Sequence, residues 1–124
     1  MPFSTFLGNE IIDHMLRGAS YTAASLIYAS LHHSDPGLTG ANEISGSAYA
    51  RQTIWLNAAS GKATTSASVL SFTGMPSGSV AWAGIWNDPT AGSFFMSGSL
   101  SASKTVNQGD TFQFPVADFD ITLT

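Results

Sequence analysis

Few side chains in this sequence are arranged to do chemistry. His32 and His33 are adjacent, with Asp35 two positions on and His14 further back, and this is the nearest approach to a metal-ligand set. Neighbours on a strand point to opposite faces, so His32 and His33 do not grip one ion together. Pro36 bends the chain where His33 and Asp35 would have to converge. Satisfaction of a strand-end histidine by backbone or water is the expected outcome, and no metal site is assigned. Asp118 and Asp120 share a face of the last apolar-alternating run, a spacing that could serve glycoside hydrolysis or calcium. At a strand terminus, paired carboxylates more often form a solvated edge that resists strand-to-strand aggregation. Trp55, Trp82 and Trp86 could stack on a sugar if exposed and coplanar, although large aromatics on strands usually belong to the core. Glu43 and Arg51 are expected to pair, tying a long loop to the strand that follows. As an exposed pair they would contribute under about 1 kcal/mol. No nucleophile stands beside a base in this reading, so neither catalytic nor cofactor-binding residues are assigned.

These residues must be positioned by a small β domain. The chain has 124 residues, a length suited to one domain with a sizeable core. Charged residues are only 10%, against roughly 25% in typical soluble domains. Ser, Thr, Ala and Gly stand in their place, giving a weakly charged surface that suits contacts between subunits. The net charge is −4 and only Arg17, Arg51, Lys62 and Lys104 are basic. Four scattered cations make no phosphate-neutralising patch, which argues against nucleic-acid binding. Cysteine is absent, excluding disulfides and thiolate zinc sites. No run approaches the ~20 apolar residues of a membrane span. Nor does a basic segment followed by an apolar one open the chain, so synthesis and assembly in the cytoplasm are expected.

Residues 1–8 read as an apolar arm carrying Phe3, Phe6 and Leu7, folded on the domain or docked on a neighbour. Residues 9–18 read as a helix capped by Asn9, with Glu10 and Asp13 early, Arg17 late and Gly18 as its stop. Ile11, Ile12, Met15 and Leu16 form its apolar side. From Ala23 to the end the pattern has period two. Ile27, Ala29 and Leu31 alternate with Tyr28, Ser30 and His32, and a Tyr49–Leu56 strand puts Ile54 and Leu56 opposite Arg51, Thr53 and Trp55. Val80–Trp86 is apolar on both faces, as a doubly covered central strand is. Turns fall at Asp35-Pro36-Gly37, Met75-Pro76-Ser77-Gly78, Asp88-Pro89 and Asn107-Gln108-Gly109-Asp110. The pattern predicts a mainly β fold: an antiparallel β-sandwich or jelly-roll-like barrel with one short N-terminal helix, in a single domain over 1–124.

Asn9, Asp13-His14 and Leu16, then Tyr21-Thr22-Ala23, Leu26, Tyr28, Leu31, Asp35-Pro36-Gly37, Gly40, Glu43, Ser45-Gly46 and Ala48-Tyr49-Ala50-Arg51-Gln52 resemble a family of small tailed-bacteriophage virion proteins. The likeness continues through Gly84, Gly98, Leu100, Lys104 and Gly109-Asp110. Ala-Tyr-Ala-Arg-Gln is its most specific run, and Ala24 departs from it where such proteins often have Pro. The resemblance implies a non-catalytic structural role in the particle, with assembly in the bacterial host cytoplasm and no catalytic residues to transfer. Its members are head decoration, minor capsid, minor tail or tail-fibre-like proteins. Decoration of the head, by multivalent contact with the major capsid protein, is the leading expectation. A minor tail or tail-fibre-associated protein is the alternative, and a carbohydrate-binding module aiding adsorption is a second. Phe3, Phe6, Leu7, Ile12 and Met15 are the apolar groups expected at the virion interface, and a homo-oligomer is expected.

Overall fold

The computed structural model describes residues 3–123. Its helix, α1, spans Thr5–Ile11, and a π-helical turn over Ile12–Leu16 continues it. The start is Ser4 and not Asn9, because the Ser4 side-chain oxygen accepts the Leu7 N–H at 3.0 Å and satisfies one of the free amides of the first turn. Residues 5–8, read from sequence as arm, therefore belong to the helix. The wider turn is closed by Arg17 N–H donating to the Ile12 carbonyl at 3.2 Å, and Asp13 and Arg17 pair at 2.8 Å on its exposed side.

Eight strands follow among the described residues: β1 Ile27–His32, β2 Gln52–Ile54, β3 Ala63–Thr65, β4 Leu70–Phe72, β5 Gly78–Trp86, β6 Phe94–Val106, β7 Phe112–Phe114 and β8 Asp120–Thr122. Every ladder between them is antiparallel, as the period-two pattern predicts. A four-stranded sheet in the order β2-β1-β5-β6 faces two short ladders, β3-β8 and β4-β7. One core fills the space between these layers. Ala29, Leu31, Ile54, Val80, Ala83 and Ile85 enter it from the large sheet, and Leu70, Phe72, Phe112, Phe114, Phe119 and Ile121 from the opposite layer. The chain is thus mainly β with one short helix, in a sandwich-like arrangement.

Two departures from the sequence pattern shape the site. The strand expected over Tyr49–Leu56 shortens to Gln52–Ile54. Tyr49 lies outside it, so that its ring stacks on Phe72 with centroids 6.0 Å apart and its hydroxyl reaches β1. The polar face of β1 is not solvated either. Ser30 and His32 have no exposed surface, because the 33–44 loop folds back across them. Strand β5 lies between β1 and β6 and is buried on both faces from Ala83 to Trp86, the central position that its sequence predicts.

Candidate functional site

Period two on β1 puts Ser30 and His32 on the face turned away from the main core. Ser30 Oγ stands 2.7 Å from His32 Nε2, and the Trp86 indole N–H donates to the same Oγ at 2.9 Å. His32 Nδ1 lies 2.8 Å from the Ala41 carbonyl. A carbonyl only accepts, so Nδ1 carries the ring proton and Nε2 accepts from the Ser30 hydroxyl. The order of donation runs Trp86 to Ser30 to His32 to Ala41. Burial holds the His32 pKa below the ordinary histidine value, partly offset by the Ala41 bond and nearby Glu43. Space around this relay is made by two glycines. A Cβ on Gly84 would meet Ser30 Oγ at 2.8 Å and His32 Nε2 at 2.9 Å, and one on Gly40, whose φ is +81°, would run into the Trp86 ring.

A second cluster closes the loop. Arg51 grips Glu43 through Nε–Oε2 at 2.9 Å and Nη2–Oε1 at 2.8 Å, a bidentate geometry. Its Nη1 donates to the carbonyls of Asp88 at 3.0 Å and Ala91 at 2.8 Å. The guanidinium carbon lies 3.6 Å from the centre of the Trp86 ring. Tyr49 adds the last link: its hydroxyl donates to Glu43 Oε2 at 3.0 Å and accepts the Leu31 N–H at 2.9 Å. Burial pushes its phenol well above the usual tyrosine range. The pair expected from sequence is therefore present but not exposed. The Arg51 side chain keeps 8% of its surface and that of Glu43 21%.

A serine beside a histidine base is the start of a nucleophilic site, and the sequence reading missed it. The signal was available in the i, i+2 spacing on one strand face. Enclosure denies this pair a substrate: both residues are wholly buried and Trp86 already occupies the serine oxygen. What the arrangement does is fasten the 33–44 and 88–91 loops to the sheet.

The other candidates are dispersed. His33 is exposed, and His14 is held at 2.9 Å by the Ala19 carbonyl beside the N-terminal helix. Asp35 Oδ1 accepts the Gly37 N–H at 2.8 Å within its turn. Among the described residues no group of three or more His, Cys, Asp or Glu is placed to hold an ion. Asp118 and Asp120 line an open cleft of about 580 Å³ with Lys104 and Gln113, beside a bulge of β6 where the register jumps between Val80↔Lys104 and Trp82↔Ser99. The tryptophans do not make one platform: Trp55 is 55% exposed and Trp86 lies buried under Arg51.

Of the expected interface residues, Phe3 forms an antiparallel bridge with Met96, and Phe6 stacks on Phe95 with centroids 5.8 Å apart. Leu7 is half-buried. Ile12 and Met15 are 52% and 69% exposed, and Leu16, which was not singled out, is 78% exposed. The arrangement offers a β body with an apolar helical edge. No curated protein matches the sequence. Residues 2–122 match the family model described as podophage GP4 fiber I protein gp80, and the chain belongs to that family of phage virion structural proteins.

Proposed function

We propose that this protein is a non-catalytic, tail-fibre-associated component of the virion. The observation that carries the reading is the family match over 2–122, whose description names a fibre protein. It favours the tail alternative over the leading expectation of head decoration with the major capsid protein as partner. The enclosed Ser30–His32 pair supports a structural role, since this nucleophile–base contact has no path to a substrate. The partners in this reading are other tail proteins of the same particle. On the N-terminal helix, Ile12, Met15 and Leu16 are exposed apolar side chains able to meet them, whereas Phe3 and Phe6 are already engaged with β6. Gold-labelled antibody against the protein, viewed by electron microscopy on intact particles, tests the assignment. Label at the tail or its fibres supports it, and label spread over the head surface overturns it.

A further inference from the structure

We propose that the N-terminal segment is exchanged between copies, so that Phe3, Ser4 and Phe6 of one copy dock on Phe95 and Met96 of another. This goes beyond the tail-fibre reading and does not depend on it. Between residues 3 and 26 only Ser4 is buried, although the segment carries Phe3, Phe6, Leu7, Ile11, Ile12, Met15 and Leu16. Twelve helical residues have little stability of their own in water, so this helix needs a surface to lie on. Its attachment to the body is narrow. Among the described residues, its backbone and ring contacts with the body are the Phe3–Met96 bridge, the Ser4 N–H donating to the Phe95 carbonyl at 2.7 Å, and the Phe6–Phe95 stack. The hydrogen bonds from Thr5 to Ala19 are otherwise internal to the segment.

The connection to β1 is equally loose. Ser20–Leu26 has no helix, no strand and no buried residue, and no hydrogen bond holds it among the described residues. Seven residues span up to about 24 Å when extended, enough to carry the helix to an adjacent copy. That copy offers the same Phe95–Met96 edge of β6, so the occupant of the edge is specified by this chain itself. Exchange keeps every contact of the closed form and is a low-cost route to oligomers.

The Phe3–Met96 pair offers the test. Ser4 donates across to Phe95, so Phe3 and Met96 form the close, non-hydrogen-bonded kind of pair, suited to a disulfide, and the chain has no other cysteine. The F3C/M96C protein is oxidised and run on a non-reducing gel. Bands at twice 12.9 kDa or in a ladder are expected, collapsing on reduction. A band that stays at 12.9 kDa with its thiols consumed places the contact within one copy and overturns the proposal. The unaltered protein gives the same answer without substitution. In a mixture of isotope-labelled and unlabelled chains, nuclear Overhauser contacts between Phe6 of one copy and Phe95 of another are expected, and contacts confined to one copy contradict exchange.

Discussion

Ser30 and His32, two positions apart on β1, place Oγ 2.7 Å from Nε2, and neither residue has exposed surface. The pair has the composition of a reactive site and the surroundings of a core. Trp86 donates into it from β5 and the Ala41 carbonyl receives from it, so each polar atom of the relay has a partner. A buried network whose members are all satisfied rigidifies its surroundings.

Ser30→Ala tests that role. It strands the Trp86 N–H and His32 Nε2 without partners, and a buried unsatisfied group costs about 1–3 kcal/mol. Urea unfolding is expected to show a loss of about 2 kcal/mol. An unchanged midpoint would mean that the relay contributes nothing to stability.

Arg51 joins three segments, so its removal leaves Glu43 enclosed without a counter-charge. Arg51→Ala is expected to cost about 3–5 kcal/mol, the penalty of breaking a buried pair. Arg51→Lys recovers only part of it, because a point charge replaces neither the bidentate grip nor the two carbonyl bonds. A loss under about 1 kcal/mol for the alanine variant would instead fit the exposed pair that the sequence suggests.

Stability should also vary with pH at both ends. His32 binds its proton more weakly folded than unfolded, so its contribution is complete above about 6.5 and is lost as pH falls below that value. The Tyr49 phenol is held above its ordinary value of 10.0, so its contribution is lost as pH rises beyond about 10. Thermal melts across pH check both. His32→Gln should flatten the slope just below pH 6.5, and an unaltered slope would assign it to other groups.

Ile12→Asp with Met15→Asp separates assembly from folding. Both side chains are more than half exposed, so stability should move by no more than about 0.5 kcal/mol per site. Incorporation into particles, measured by complementation of a phage lacking the protein, is expected to fall sharply. Normal incorporation would remove this face from the interface.

The strands were legible because apolar and polar residues alternate along Ala29-Ser30-Leu31, and because a run apolar on both faces over Val80–Trp86 marks a central strand. Turn chemistry was legible for the same local reasons, as at Asp35-Pro36-Gly37. The helix start was misread because both Ser4 and Asn9 are competent caps, and the choice between them is made by Phe3, Ser4 and Phe6 docking on β6. The polar core was less legible still. Nothing local to Ser30 and His32 reports that Gly40 and Gly84 leave room for Trp86 and Phe94 to close over them. Likewise, the enclosure of Glu43 and Arg51 depends on carbonyls at Asp88 and Ala91, far along the chain.

The measurement that bears most directly on the tail-fibre assignment is co-sedimentation of the purified protein with isolated tails and, separately, with isolated heads, counting bound copies. Saturable binding of a few copies to tails, with none on heads, is the predicted result. Saturable binding of hundreds of copies to heads would contradict it and restore the decoration role.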